Sequence, residues 1–221
     1  MQFKSQFGSF GTALGQYIEP NGIAVDPVTG KLYVCDYWNR RVVQCDPDGS
    51  NPVQFGPKIA MPLAVAVSND GALVYVSDSS KDRIRVFDSS SQAESPIVIG
   101  GFGVVTDPNG IAVAPNGNVV VADTWQYQVE VWSGGSLVRR FGSRGTSTGQ
   151  FHFPRGVAVG LDGDIYVIET GKGTVEHFDA NGIFKQSFAG MGHGSGFLYQ
   201  PWDAAVDPES DPITYTVTGG S

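Results

Sequence analysis

The apolar positions of this chain fall in short runs, each closed by Gly, Asn, Asp or Pro. Ile23-Ala24-Val25, Leu32-Tyr33-Val34-Cys35 and Val42-Val43 begin the series, and Val74-Tyr75-Val76, Ile111-Ala112-Val113, Val119-Val120-Val121-Ala122 and Ile165-Tyr166-Val167-Ile168 continue it. Runs of this length, rich in β-branched residues and bounded by turn formers, predict many short strands and little helix. The turns between them are of a matching kind. Asn69-Asp70-Gly71, Asn116-Gly117-Asn118, Asp162-Gly163-Asp164 and Asn181-Gly182 supply the positive φ that tight hairpins need.

Proline marks a longer period. Pro20, Pro62, Pro108, Pro154 and Pro201 are each followed two residues later by a small residue or aspartate and then by an apolar strand, at spacings of 42, 46, 46 and 47 residues. That period fits a four-stranded propeller blade and exceeds the ~33 to 34 residues of ankyrin or tetratricopeptide repeats. Within a repeat, strand a is the run after the proline and strand b ends on Asp36, Asp78, Asp123 or Glu169. Strand c starts near Arg41, Arg83, Gln128 or Thr174, and strand d closes on Phe55-Gly56 or Phe141-Gly142. The expected fold is all-β, a propeller of four-stranded antiparallel blades.

The chain resembles the NHL-repeat family of β-propellers. The resemblance rests on the Gly-Gln-aromatic-x-x-Pro-x-Gly-apolar-Ala-Val runs at Gly15 to Val25 and Gly149 to Val159, on Tyr33-Val34-Cys35-Asp36, and on the Asp36 to Val42 segment. It covers nearly the whole chain, although the strand-c arginine of Arg41 and Arg83 gives way to Gln128 and Thr174. WD40 repeats share the period but place Trp-Asp at the end of strand c, where this chain has Cys45-Asp46, Phe87-Asp88, Trp132-Ser133 and Phe178-Asp179.

The ends do not match a closed ring. Gln2 to Phe10 aligns with strand d of a blade, repeats span about 11–56, 57–103, 104–142 and 143–190, and a partial repeat over 191–221 offers strand a at Asp203 to Val206 and strand b at Ile213 to Val217. About five blades are therefore expected, making up most of a six-bladed ring. If the opening strand belongs to a sixth, roughly 55 residues at ~46 per blade lie elsewhere. A five-bladed ring with a defective last blade is the competing reading, and unpaired edges at both ends would invite assembly with other copies.

Composition narrows the function. Apolar residues at 41% and aromatics at 11% are too many for a disordered chain. A net charge of -8 argues against nucleic acid as the main partner, since phosphate binding needs a basic footprint. No apolar run reaches the ~20 residues of a membrane helix, and the first residues lack the basic and apolar regions of a signal peptide, so a soluble chain of unspecified compartment is expected. Cys35 and Cys45 fall opposite Val42 and Leu32 once Asp36 is paired with Arg41, too far apart for a disulfide, and read as buried free thiols.

Strand direction places the d-to-a and b-to-c loops on one rim. Asn21, Leu63, Asn109, Arg155 and Trp202 follow the repeat prolines and should ring the channel mouth; Trp38, Arg40, Trp125 and Tyr127 lie further out on the same rim. Aromatic residues and arginine are the types enriched in binding hot spots, and Asn21, Trp38, Arg40, Asn109, Trp125, Tyr127, Arg155 and Trp202 are the candidate binding set; Trp38 and Trp125 could equally fold down as packing between blades. Asp36, Asp78, Asp123 and Glu169 are expected to cap the b-to-c turns, with Asp36 and Asp78 paired to Arg41 and Arg83. Asp162-Gly163-Asp164 lacks the further ligands of a calcium loop and reads as a hairpin turn. His152 and His193 are weak metal candidates in neighbouring d-to-a loops, and His177 is expected on the surface. The resemblance brings in the amidating lyases, whose channel histidines have no counterpart after the prolines of this chain.

The leading expectation is a non-catalytic recognition propeller, without cofactor, for a protein, peptide or glycan. The alternatives are a metal-dependent lyase or hydrolase at the channel, a self-assembling structural protein, and an RNA-binding propeller in which Arg40, Arg41, Lys81, Arg83, Arg139, Arg140, Arg144 and Arg155 cluster.

Overall fold

A computed structural model describes residues 6–192, 198–206 and 215–219. Near the start, β1 (Ser9–Phe10) and β2 (Gln16–Tyr17) form a small parallel pair. Four antiparallel four-stranded sheets follow. The first is β3 (Pro20–Val25), β4 (Leu32–Asp36), β5 (Arg41–Cys45) and β6 (Val53–Phe55); the second is β7 (Pro62–Val67), β8 (Leu73–Asp78), β9 (Arg83–Asp88) and β10 (Ile99–Gly100). The third is β11 (Pro108–Val113), β12 (Val119–Asp123), β13 (Gln128–Ser133) and β14 (Ser136–Phe141); the fourth is β15 (Pro154–Val159), β16 (Ile165–Glu169), β17 (Thr174–Phe178) and β18 (Phe184–Phe188). A last pair, β19 (Pro201–Val206) and β20 (Tyr215–Gly219), begins a fifth blade. Strand a there starts at its proline, and strand b ends two residues beyond the expected Val217; Ile213 lies outside the described residues, as do Gln2 to Ser5 of the opening strand.

The inner strands stack in the order β3, β7, β11, β15, β19, as propeller blades do. The cores lie between blades, and they explain why the strand-b and strand-c runs are apolar without alternation. Successive side chains of a strand point to opposite faces, and each face of an inner sheet meets a neighbour. Val74 and Val76 of β8 pack back against Tyr33, Cys35, Val42 and Phe55 of the first blade. Tyr75 packs forward with Ile84 and Val86 against Ile111, Val119, Val121 and Trp132 of the third. The next interface sets Val120, Ala122 and Val129 against Val157, Val167 and Phe178.

Close approach of the inner strands depends on glycine at the second position after the proline. A Cβ on Gly22 would lie 2.7 Å from the Ala64 Cα of the next blade, and one on Gly156 would lie 2.7 Å from the Asp203 Cα. The first blade differs from the rest on its outer flank. Ile23 and Val25 are 58% and 60% exposed, whereas their counterparts Val65 and Val67 are at 5% and 9%.

Ser9–Phe10 does not extend a strand d. Its parallel pairing with Gln16–Tyr17 recurs as Arg144 with Phe151 and Met191 with Leu198, so this segment is a d-to-a loop folded like two later ones. The cysteine registers are as read from the hairpin: Cys35 opposite Val42 and Cys45 opposite Leu32, both free and buried.

Candidate functional site

The rim formed by the d-to-a and b-to-c loops is held from beneath by the carboxylates that end strand b. Asp36 accepts from the Ile18 amide at 2.9 Å and from Asn39 Nδ2 at 2.8 Å, and it pairs with Arg41 Nε at 2.8 Å. The Arg41 guanidinium also donates to the carbonyls of Thr12, Ala13 and Gln16, fastening the whole preceding loop. Asp123 accepts from the Thr106 amide at 3.0 Å and the Gln126 amide at 3.3 Å, and Glu169 accepts from the His152 amide at 2.5 Å. Ile18, Thr106 and His152 all stand two residues before a repeat proline. The carboxylate therefore ties strand b to the entry of strand a, in addition to the turn that follows it.

Asp78 departs from the expected pairing. It accepts from Ser80 Oγ, while Arg83 lies 3.6 Å from Glu94, which also binds Arg85 at 2.6 Å. Arg83 turns instead toward Glu94, which sits in the long c-to-d loop of that blade.

In the fourth blade the tie is kept by a different residue. Thr174 replaces the arginine, and Lys172 Nζ donates to the Gln150 carbonyl at 2.6 Å, the position equivalent to Gln16, while pairing with Glu176. Burial raises Glu169 to about 8, against the opposing effects of the His152 amide and Lys172 and with help from Glu176. Burial likewise raises Asp123 to about 7, partly offset by its two amide donors and reinforced by Glu130.

The rim carries backbone in the left-handed region at repeated positions. Arg40, Asp82 and Tyr127 precede strand c with φ of 58°, 52° and 56°, and Glu19, Asp107, Phe153 and Gln200 precede prolines with φ of 50°, 55°, 70° and 45°. Non-glycine residues in this region are uncommon and concentrate where surroundings fix the backbone.

Trp38 and Trp125 stand out from this surface. They are 59% and 56% exposed, each braced edge-on by a neighbour: Tyr37 at 5.6 Å and Phe153 at 5.8 Å between ring centroids. The Trp125 contact crosses to the entry of the fourth blade, while Trp38 is braced within its own loop. Trp202 is also exposed, and its ring receives the Arg155 guanidinium at 4.1 Å. Arg144 lies over the Tyr127 ring at 5.2 Å. Arg40 and Asn21 are exposed, and Asn109 is half-buried with its Nδ2 on Thr124 Oγ1 at 2.9 Å. The sequence reading missed Leu14 and Phe102, both exposed on this rim. Phe102-Gly103 imitates the Phe-Gly that ends a strand d, which hides it as a surface residue.

Charge divides between the rims. Arg40, Lys58, Lys81, Arg144 and Arg155 lie in the d-to-a and b-to-c loops or at the proline position, alongside Glu19, Asp82 and Asp107, whereas Asp46, Asp48, Asp70, Asp88, Asp162 and Asp179 occupy the a-to-b and c-to-d turns with Lys31. The eight basic residues considered as an RNA surface do not cluster. Arg41 is spent on Asp36, Arg83 lies beside Glu94, Arg140 lies 3.4 Å from Glu130, and Arg139 binds the Ala180 carbonyl at the opposite rim.

The histidines are dispersed. His177 is not on the surface as expected: its ring stacks on Tyr166 at 4.5 Å and its Nε2 lies 2.6 Å from Asp164, inside the fourth blade. His152 packs on Phe153, and His193 lies outside the described residues. Among the described residues no group of three or more His, Cys, Asp or Glu side chains is placed to hold a metal ion. Asp162-Gly163-Asp164 is a hairpin turn with Gly163 at φ 87°.

Comparison with known proteins agrees with this architecture. The NHL repeat model matches residues 18–45 and 106–132. The human E3 ubiquitin-protein ligase NHLRC1 is 35% identical over 176 residues, covering 74% of this chain and 41% of the ligase. The Drosophila melanogaster protein brain tumor is 27% identical over 150 residues, covering 64% of this chain and 14% of that protein. The chain thus spans less than half the length of either relative. Among solved structures, a chain of the nidogen/laminin complex superposes with a TM-score of 0.70 at 19% identity, over 90% of this chain and 72% of its own length.

Proposed function

Starting from the fact that this chain carries NHL repeats folded as the blades of a β-propeller, we propose that it is a non-catalytic recognition module that presents the d-to-a and b-to-c rim to a protein or peptide. The observation that carries the reading is the exposure of Trp38, Trp125, Trp202 and Phe102 on one rim, on loops that buried carboxylates hold in place. Large aromatics left in water on rigid backbone bury much area on contact and lose little freedom in doing so. The relative named as a ubiquitin ligase has a protein as substrate, which favours a polypeptide over a glycan. The repeats are read together as one propeller domain.

Selection of displayed peptides on the immobilised chain tests this. Selected peptides should lose about tenfold or more in affinity with Trp38→Ala or Trp125→Ala and change little with Asp48→Ala on the other rim. Peptides indifferent to both tryptophans would overturn the reading.

A further inference from the structure

Resting on the reading of this rim as a recognition face, we propose that the channel mouth at Arg155 is a carboxylate subsite, which receives an aspartate or glutamate side chain of a bound peptide. Arg41 is spent on Asp36 and three carbonyls and Arg85 on Glu94 and the Lys58 carbonyl, while Arg40 and Arg144 are exposed to water. Arg155 is half-buried at the position after the fourth repeat proline, and among the described residues it has neither an ion pair nor a hydrogen-bonded Nε. A guanidinium withdrawn from water without a partner is costly, and a planar carboxylate that can take two of its N–H groups repays that cost.

The surroundings orient the group. Trp202 covers it at 4.1 Å from the ring centroid, a stacking that fixes its plane; Nε is shut off from solvent, so the ligand carboxylate would take the N–H groups of Nη1 and Nη2. Asn21, Leu63, Asn109 and Trp202 at the equivalent positions carry no charge. The mouth thus holds a single cation, with the Asp107 carboxylate within electrostatic reach. A carboxylate adds one negative charge beside Asp107, whereas a phosphate group adds more than a single arginine in that position can match. Trp38 and Trp125 further out supply apolar area for the rest of a peptide.

The test reads the tryptophan indole N–H resonances of the isotope-labelled chain, with Trp202 assigned through Trp202→Phe. The probes are acetyl-Trp-Glu-Gly-amide, its glutamine counterpart, and the glutamine peptide with a free C-terminus. The glutamate peptide should shift the Trp202 resonance saturably, with a Kd about tenfold or more below that of the glutamine amide, as expected for one charge-assisted pair. The free C-terminus should give no comparable gain. Arg155→Met should abolish the discrimination and Arg155→Lys retain part of it. On the unaltered chain, so independently of any folding defect in a variant, the advantage should vanish below about pH 4 as the probe carboxyl protonates. Equal binding of the glutamate and glutamine peptides overturns the subsite, and if the Trp38 and Trp125 resonances still shift, the recognition face itself stands. A free C-terminus matching the glutamate peptide, or a short oligouridylate moving Trp202 more strongly than either, also overturns the proposal.

Discussion

Arg41 holds more structure than any other side chain on the rim, since one guanidinium closes the buried Asp36 and three carbonyls of the preceding loop. Arg41→Met removes these donors and leaves Asp36 charged in a fully buried site, so a loss of about 3 to 5 kcal/mol is expected in urea unfolding. The Asp36–Arg41 pair is legible in the sequence as one residue type recurring at one register position. Its counterpart in the fourth blade is not, because Lys172 reaches the same carbonyl from two residues earlier, in the b-to-c loop, where no repeat pattern points to it. Buried carboxylates also set a pH dependence. Asp123 and Glu169 have folded pKa values of about 7 and about 8, above their unfolded values near 4. The folded chain therefore binds more protons between those limits, and stability falls as pH rises through them, by at most about 1.4 kcal/mol per pH unit for each group. Asp88, held at about 2 by the Ser91 amide and the Ser90 and Ser91 hydroxyls, acts in the opposite sense, losing its contribution below about pH 4. Urea unfolding should thus show greatest stability near pH 4. Asp123→Asn, whose amide oxygen still accepts from Thr106 and Gln126, should flatten the decline toward pH 8; an unchanged slope would count against the ionised Asp123 as its source.

Strand pairing sets a different kind of limit. Gly156 lets β15 and β19 approach closely, and a Cβ there meets the backbone of Trp202 and Asp203, which has no rotamer to yield. Gly156→Val should cost about 2 kcal/mol or more in stability and, by displacing β19, separate Arg155 from Trp202; near-ultraviolet dichroism and unfolding would report both. The second blade has Ala64 at the equivalent position. The blades themselves were readable because strands b and c are buried on both faces, so their apolar runs stand out undiluted. The β1–β2 segment was not, since Gln2 to Phe10 has the composition of a strand while Ser9–Phe10 is bonded as a loop.

Across the whole molecule, the outer flank of the first blade is the place where the repeat rule breaks. Ile23 and Val25 are in water although their counterparts are core residues. The double substitution Ile23→Gln/Val25→Gln should therefore change the stability of this chain by about 0.5 kcal/mol or less, whereas Val65→Gln alone should cost several times that. If copies associate through this flank, the same double variant will lower the mass seen by sedimentation equilibrium. The eight candidate residues could be placed on one rim from sequence because loop direction follows from strand count; exposure did not follow from it, and Phe102 went unseen.

The excess of cations on one rim and of aspartates on the other gives the propeller an electric dipole along its channel. A negatively charged partner diffusing nearby would feel a torque before touching, arriving aromatic rim first and turned away from the aspartate side. Such guidance is felt over about one Debye length, roughly 8 to 10 Å in physiological salt. Its signature is kinetic: added salt should slow association several-fold while leaving dissociation nearly constant, and reversing the charges of Lys58 and Lys81, outside the contact at Arg155, should reproduce the slowing without any salt.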